Sequence, residues 1–288
     1  MLTSLPGVVF DGLAYGSLLF LMSIGLAVTM GLMNFINLAH GAFAMLGGYV
    51  CAVGMTRLGI PFLATLPLAF LASAAVGTGL ERTLYRRLYR RSPLEQVLFS
   101  LGLTLMAVAT ATYVFGPGQQ PVRLPSFLLG QVRLFGVDLG AYRLFLIGVV
   151  AAITGALLAL IRGTRFGARL RASVDDAQTS AALGINVARV FSVTFTLGSG
   201  LAGLGGALAI DVLGLDPTFP LKYLVYFLLV VVVGGSATIG GTLIASIVLG
   251  VFDVAGKYYV PSIGAFVIYG LMVALLLLFP SGLRRTAG

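Results

Sequence analysis

The sequence predicts an all-α, polytopic transmembrane helical bundle with eight or nine membrane helices, some of them short or broken. Of its 288 residues, 59% are hydrophobic and only 9% are charged, and the mean hydropathy is +1.05. So few charges could not cover the surface of a soluble protein, whereas long apolar segments are what a bilayer requires. We therefore expect residues 1–288 to form a single transmembrane domain with one prominent cytoplasmic segment at about 162–188.

Nine apolar segments approach the roughly 20 residues that cross a bilayer. The seventh is short and the second begins with polar residues, so either one could be a half-helix. The first has no basic residue before it and is too long for the apolar part of a signal peptide, so we expect it to remain as a membrane helix. The segments are residues 8–30, 38–56, 60–80, 94–115, 142–161, 189–212, 221–233, 239–256 and 263–279.

The basic residues between these segments fall into two unequal sets, twelve on one side of the membrane and six on the other. Positively charged loops tend to stay in the cytoplasm, which places the N-terminus outside and the C-terminus inside. The basic residues that give the net charge of +9 thus lie beside the membrane. This position favours lipid headgroups over nucleic acid as their partner. The larger set is Arg82, Arg86, Arg87, Arg90, Arg91, Arg162, Arg165, Arg169, Arg171, Arg189, Arg284 and Arg285; the smaller set is Arg57, Arg123, Arg133, Arg143, Lys222 and Lys257.

The two longest connections have different patterns. The outer one, residues 116–140, contains three prolines and is expected to be extended. The inner one, residues 162–188, contains an alanine-rich stretch at 173–183, for which we predict a short amphipathic helix lying under the membrane. Asp175 and Asp176 suit the start of such a helix, where negative charge is favourable, and Gly184 suits its end.

The stretch at residues 30–49 places polar residues and glycines within apolar sequence. Asn34, Asn37 and His40, the only histidine, are costly in a membrane unless they face protein or water. Together with Gly41 they indicate a broken helix. Two roles remain open: the polar side chains pair carbonyl groups freed by the break, or they line a path for a solute.

A second polar, glycine-rich interruption near residues 214–241 weakly echoes the first, and paired broken helices often mark a central site. Lys222 lies in it, and either extends to the membrane interface or attracts a carboxylate-bearing solute.

In the sixth segment Gly198, Ala202 and Gly206 recur every four residues. This spacing predicts close helix packing in lipid, with a hinge as the alternative.

Several kinds of chemistry lack the residues they need. A phosphate-binding loop requires Gly-Lys followed by Ser or Thr, and neither Lys222 nor Lys257 stands in that sequence. Cys51 is the only cysteine, which excludes a disulfide within the chain, and a single histidine makes a metal cluster unexpected. We therefore expect no bound cofactor, no metal site and no catalytic residues.

The run from Asn34 to Tyr49, N-F-I-N-L-A-H-G-A-F-A-M-L-G-G-Y, resembles the signature of bacterial ABC-transporter permeases for branched-chain amino acids. This hydrophobic amino acid uptake group has urea and amide permeases as close relatives. The resemblance continues in the expected order at residues 165–186, 234–245 and 279–283, so it covers most of the chain. It implies a permease subunit that forms the translocation pathway of an ATP-binding-cassette importer for branched-chain or hydrophobic amino acids.

The resemblance also implies a set of partners in the bacterial inner membrane. These are a second permease subunit, usually a paralogue, two cytoplasmic ATPase subunits that use the ATP, and an external solute-binding protein that delivers the cargo. Membrane lipid would surround the complex.

Permeases of this kind carry a cytoplasmic E-A-A-x-x-x-G motif that docks into the ATPase. The corresponding stretch here runs from Gln178 through Ser180 to Gly184, with Gln178 in place of the glutamate. Asp175 and Asp176, just upstream, supply negative charge instead. The resemblance thus implies ATPase coupling at Gln178, Ser180 and Gly184, and we expect Asp175 and Asp176 to contribute to it through their charge. The pattern of polar residues and glycines, apart from the resemblance, makes Asn34, Asn37, His40, Gly41 and Lys222 the candidates for the translocation pathway and helix break.

Alternatives remain for the cargo and for the class of protein. Permeases of the same type carry urea, short amides or other small carboxylates. A stand-alone channel is a different class, but the chain lacks the paired Asn-Pro-Ala half-helices of aquaporins. An ion-coupled carrier is disfavoured because few ionisable groups lie in the spans. Transport by the chain alone, without an ATPase, would distinguish both from an importer.

Overall fold

The computed structural model describes residues 5–33, 35–89, 91–122, 124–134, 137–235 and 238–278. Each of the nine predicted apolar segments corresponds to a helix within these ranges. A π-helical turn at Glu81–Tyr85 joins the third and fourth helices. The helices are α1 (Leu5–Met33), α2 (His40–Thr56), α3 (Phe62–Leu80), α4 (Arg86–Leu88), α5 (Pro93–Phe115), α6 (Ala141–Gly163), α7 (Arg165–Asp175), α8 (Ala177–Ala182), α9 (Val187–Leu213), α10 (Phe219–Gly234), α11 (Ile239–Tyr259) and α12 (Gly264–Leu278).

The lengths and composition of these helices fit a protein that crosses a membrane several times. In the described residues, six helices are long and apolar enough to span a bilayer, and α10 is a shorter apolar helix. α2, with 17 residues, and α12, with 15, are also short. The chain is therefore an all-α, polytopic membrane bundle that includes short helices.

α1 and α9 form the centre of the bundle, where they are enclosed by α2, α3, α10 and α11. Glycines allow this close approach. A Cβ atom on Gly206 would lie 1.8 Å from the carbonyl oxygen of Ala44 in α2, and one on Gly25 would lie 2.5 Å from Gly198. The close packing predicted for the sixth segment is thus present, because small residues let helix backbones touch.

The outer connection is more ordered than predicted. A short 3₁₀ helix at Ser126–Leu128 leads into an antiparallel hairpin of β1 (Gln131–Leu134) and β2 (Val137–Gly140). Gln131 pairs with Gly140 and Arg133 with Asp138. The residues are extended, as expected, but the hairpin was not predicted, since strands of four residues are too short for an alternating pattern to be evident.

The inner connection corrects another prediction. Instead of one helix over residues 173–183, two helices meet at Asp176, whose φ of −154° and ψ of 102° break the helical path. The aspartate side chain bonds backbone N–H groups, and this competes with continuation of a helix. α7 buries Leu170 against Val190 at the start of α9, which fixes the connection to the bundle.

Candidate functional site

Residues 35–39 form a non-helical break between α1 and α2. Asn37, whose exposed fraction is 1%, organises it: its Oδ1 accepts hydrogen bonds from the Ala39 N–H and the Tyr85 hydroxyl, both at 3.0 Å. Asn34, the other predicted asparagine, lies outside the described residues. The break is therefore tied both to itself and to the π-helical turn.

Two hydroxyl groups of α5 pair with the backbone of this break. Ser100 Oγ accepts from the Leu38 N–H at 3.1 Å, and Thr104 Oγ1 donates to the Leu38 carbonyl at 3.2 Å. Ser100 also lies 3.4 Å from the Ile36 carbonyl. Backbone groups in a membrane need partners inside the protein, and α5 supplies them here.

His40 begins α2 and is buried, and its Nε2 lies 2.9 Å from the carbonyl oxygen of Met22 in α1. Because a carbonyl only accepts, the imidazole donates this bond. Met22 is eleven residues before the end of α1, so this bond joins the beginning of α2 to the middle of α1. The Met22 carbonyl lies within continuous α1 and is not freed by the break, so this bond is a contact between two helices, and both predicted roles of the polar side chains stay open.

Gly41 brings the two polar interruptions together. A Cβ atom there would lie 3.0 Å from Pro220 Cα and 3.3 Å from the ring of Phe227, both in α10. Gly48 similarly faces Leu215, just before α10. The segments that weakly echo each other in the sequence are thus in contact in the fold.

An apolar cavity of about 590 Å³ lies between α2, α3 and α5. Phe43, Met45, Leu103 and Met106 are among its lining residues. The stacked rings of Tyr49 and Phe115, with centroids 4.2 Å apart, also line it. Its surface suits an aliphatic chain, and neither Asn37 nor His40 lines it.

Glu81, which no sequence pattern indicates as a site residue, is fully buried at the start of the π-helical turn. Its carboxylate accepts from Arg86 Nε at 3.0 Å, from the Tyr89 hydroxyl at 3.2 Å and from Ser192 Oγ of α9 at 2.7 Å. Tyr85 at the end of the same turn donates a hydrogen bond to Asn37 Oδ1. It therefore connects the beginning of α9 to the break.

The predicted coupling residues lie on and around α8. The carboxylate of Asp176 caps this helix, accepting from the N–H groups of Gln178 at 2.8 Å and Thr179 at 3.0 Å. Hydrogen bonds from Thr179 hold the pKa of Asp176 below its ordinary value of 3.8. Asp175 and Gln178 are exposed, whereas Ser180 is buried.

Gly184 ends this segment as predicted. Its φ of +85° is a left-handed conformation that glycine adopts without strain. The turn exposes Leu183, whose exposed fraction is 78%. α8 thus presents an exposed polar face and one apolar side chain, which is suited to a protein partner rather than to the bundle.

Lys222 lies at a second, polar cavity of about 420 Å³ near the other end of the bundle. It pairs with Asp216, and hydrogen bonds from Lys222 and Thr218 outweigh the desolvation of that carboxyl, so its pKa is lowered. The cavity is formed by α1, α6, α9, α10 and α11, and its charged and aromatic lining residues are Asp11, Tyr15, Arg143, Lys222, Tyr223, Tyr226, Asp253 and Lys257.

Three members of each predicted set of basic residues lie together at one site in the described bundle, whereas Arg90, Arg123, Arg284 and Arg285 lie outside the described residues. Arg143, Lys222 and Lys257 surround the polar cavity near the start of α1. Arg82, Arg86 and Arg189, from the larger set, line another pocket at the π-helical turn and the beginning of α9. The described residues contain no cluster of three His, Cys, Asp or Glu side chains that would hold a metal ion.

Comparison with known proteins gives one family and several relatives. The family model described as the permease component of branched-chain amino acid transport systems matches residues 8–276. The chain is 27% identical to the Pseudomonas aeruginosa "High-affinity branched-chain amino acid transport system permease protein BraD", covering 95% of this chain and 93% of that one.

Two further relatives extend the comparison. The Escherichia coli K12 protein LivH, which carries the same high-affinity permease description, is 27% identical over 95% of this chain and 93% of its own. The probable branched-chain amino acid transport permease protein LivH of Methanocaldococcus jannaschii is 28% identical over 93% and 89%. No solved structure matches the chain.

Proposed function

Because the chain belongs to the family of branched-chain amino acid transport permeases, we propose that it forms the translocation pathway of an ATP-binding-cassette importer for these amino acids. The observation that carries the proposal is the family match over residues 8–276, nearly the whole chain. Its relatives over that length are permease proteins of branched-chain amino acid transport systems. The chain is thus a membrane component of a transporter that has other subunits.

The proposed partners are a second permease subunit, two ATPase subunits in the cytoplasm and an external binding protein that delivers the cargo. ATP is used by the ATPase subunits, and this chain carries no catalytic residues of its own. The complex lies in the bacterial inner membrane. These assignments extend the family membership.

The proposed coupling surface is α8 with its flanking turns and consists of Asp175, Asp176, Gln178 and Gly184. Ser180, predicted together with them, is buried and does not lie on this surface. Three features support it: α8 is capped, it exposes its polar face, and it is anchored through α7 and α9. A capped and anchored helix with an exposed polar face suits docking, since a preorganised surface loses little entropy on binding.

A continuous set of contacts leads from this surface toward the predicted pathway. α8 leads to α9, whose Ser192 bonds Glu81, and the π-helical turn that begins at Glu81 carries Tyr85 to Asn37 in the break. We propose that motion at α8 reaches the break along this route. ATP binding and cargo then favour different access states, because a ligand shifts an equilibrium only through differential affinity.

Charge supports the proposed orientation. The end that carries α8, Arg82 and Arg189 is assigned to the cytoplasm, and the end with the hairpin and Lys222 to the outside. The N-terminus is then external and the C-terminus cytoplasmic.

The test is transport of L-leucine, L-isoleucine and L-valine into proteoliposomes. The vesicles contain this chain, its partner permease and the ATPases, and the binding protein is added outside. We expect uptake that requires ATP inside and the binding protein outside, and no uptake by this chain alone. Uptake of urea or amides in preference to these amino acids would overturn the cargo, and uptake by the isolated chain would overturn the importer in favour of a channel or carrier.

A further inference from the structure

The polar cavity around Lys222 is unusual in so apolar a chain. Only 9% of the residues are charged, and the chain contains just two lysines, yet both line this cavity together with Arg143. Its volume of about 420 Å³ falls within the range of small-molecule sites. The family match does not explain this concentration of charge, and the role predicted for Lys222, attraction of a carboxylate, concerns only one of the charged residues.

Asp253 is the residue of the cavity whose hydrogen bonding indicates a ligand. Its side chain is only 1% exposed, and Lys257 donates to one carboxylate oxygen, Oδ2, at 2.5 Å. The other oxygen, Oδ1, is buried and has no hydrogen-bond partner among the described residues, and the Tyr226 hydroxyl approaches the same carboxylate. A buried carboxylate oxygen without a donor is costly, and an ammonium group would supply the donor.

The cations of the cavity are also arranged for a carboxylate. Arg143 pairs with Asp11 at 2.8 Å and Lys222 pairs with Asp216, but the two basic side chains remain 44% and 53% exposed. A guanidinium has five N–H donors and an ammonium has three, so one carboxylate partner leaves donors free. With Lys257 and Asp253 the three ion pairs are neutral overall, and Asp211, which also interacts with Arg143, adds one further carboxylate.

Aromatic rings complete the cavity. The rings of Tyr15 and Tyr226 meet edge to face with centroids 6.4 Å apart, and Lys257 Nζ lies 5.7 and 5.9 Å from them. Such rings present apolar faces that pack against aliphatic groups and attract cations.

We propose that this cavity is a binding site for a free zwitterionic α-amino acid with an aliphatic side chain. Its ammonium group donates to Asp253 Oδ1, its carboxylate lies between Arg143 and Lys222, and its side chain packs on Tyr15 and Tyr226. The proposal rests on the proposed function, since it places the cargo at the outer end of this chain's pathway.

The two lysines provide a direct readout. The assembled transporter in nanodiscs, without binding protein, is treated with an amine-reactive acetylating reagent in large excess over the ligand. The acetylation rates of Lys222 and Lys257 are followed by mass spectrometry relative to a lysine-containing peptide in the same sample, because the ligand's own amine also consumes the reagent. We expect L-leucine at about ten times its Kd to slow both rates about tenfold. The ligand lacking the carboxylate, 3-methylbutylamine, and the ligand lacking the ammonium, 4-methylpentanoate, should each bind about tenfold more weakly.

The variant Asp253→Asn should lose the protection by L-leucine. Its matched control is Asp138→Asn, which removes an exposed carboxylate paired with Arg133 in the hairpin and should retain full protection. The comparison of the three ligands on the unaltered chain stands even if the Asp253 variant fails to assemble.

Equal acetylation with and without L-leucine overturns the inference, and so does equal protection by all three ligands. Uptake by the complete transporter is measured in parallel. Normal leucine uptake without protection removes only this site, whereas absence of uptake of any branched-chain amino acid removes the proposed function itself.

Discussion

His40 shows what one polar side chain does inside an apolar bundle. Its hydrogen bond to the Met22 carbonyl joins the beginning of α2 to the middle of α1, and both groups are shielded from water. This contact requires an N–H donor at the position of the imidazole. It does not require the size or the charge of a histidine side chain.

We therefore expect His40→Ala to destabilise the protein by about 1–3 kcal/mol, because it leaves a buried carbonyl with one fewer donor. His40→Gln keeps an N–H donor and should retain most of the stability. Thermal unfolding of the purified complex measures both variants. If the Ala variant unfolds at the temperature of the unaltered protein and transports normally, the bond has neither a structural nor a functional role.

Asp176 caps α8 by accepting hydrogen bonds from backbone N–H groups. Two substitutions can therefore separate the effect of this cap from the effect of the negative charge at the coupling surface. Asp176→Ala should remove the cap of α8, speed amide hydrogen exchange at Gln178 and Thr179 several-fold, and lower the ATPase activity that depends on cargo. Asp176→Asn is a good helix cap without charge and should preserve both. Equal loss in the two variants would show that charge, not the cap, is needed.

The pH dependence of this cap follows from the lowered pKa of Asp176. A carboxyl whose pKa is lower in the folded state stabilises that state above its unfolded pKa, here 3.8. This contribution is lost only as the pH falls below that value through the folded pKa. Across neutral and mildly acidic pH, the cap should therefore stay intact.

The crossing of α2 and α9 depends on glycine. A Cβ atom on Gly47 would lie 2.0 Å from the Gly203 carbonyl oxygen, and one on Gly206 would lie 1.8 Å from that of Ala44. These contacts involve backbone atoms, which cannot rotate away. The helices would have to separate to accept even a methyl group.

Gly206→Ala should accordingly destabilise the complex by about 1–3 kcal/mol through overpacking. Gly102→Ala in α5 and Gly148→Ala in α6 are matched controls, because a Cβ atom at either position meets nothing within 4 Å. These two should be neutral or stabilising by up to about 1 kcal/mol, as alanine favours helices. Thermal unfolding compares them, and a stable Gly206 variant would contradict the proposed crossing.

The elements also show where prediction from the sequence succeeds. The apolar segments gave the helices, since length and hydropathy are local properties. The cap at Asp176 and the left-handed Gly184 follow local rules too, although the break of the inner helix into α7 and α8 was not predicted. Glu81 had no such signal: its partner Ser192 is 111 residues away, and only the fold brings them together.

The whole molecule raises the question of orientation, and its cysteine content provides a simple test. Cys51, the only cysteine, is buried and lies 3.0 Å from the Thr65 hydroxyl, so Cys51→Ser keeps a hydrogen-bonding group and removes the thiol. A new cysteine at Arg133 or Leu183 then reports one end of the bundle. Both sites are exposed.

We expect a membrane-impermeant maleimide to label Arg133→Cys in intact spheroplasts and to label Leu183→Cys only after the membrane is opened. Inside-out vesicles should give the reverse. Labelling of Leu183→Cys from outside would invert the orientation and remove α8 as the surface that meets the ATPase.

At this scale the candidate pathway was only partly foreseen. Asn37, His40 and Gly41 attract attention because polar residues and glycines are conspicuous in apolar sequence. Asp253 and Tyr15 do not, because each is ordinary within its own helix, and their significance comes from the cavity that five helices form around them. The hydroxyl groups of α5 that bond the break between α1 and α2 were not predicted for the same reason.

α5 has one property that matters once the protein leaves its bilayer. Its buried side chains are Gln96, Ser100, Thr104 and Ala111, so the stripe that faces the bundle is mostly polar, and two of its hydroxyl groups bond the break. In hydrocarbon, pulling α5 away would strand those backbone groups at a cost of several kcal/mol; in a detergent micelle, water can replace the lost partners. Solubilisation should therefore loosen α5 before it disturbs α1 or α9. The choice of detergent will then decide whether α5 stays packed against the bundle in the purified protein.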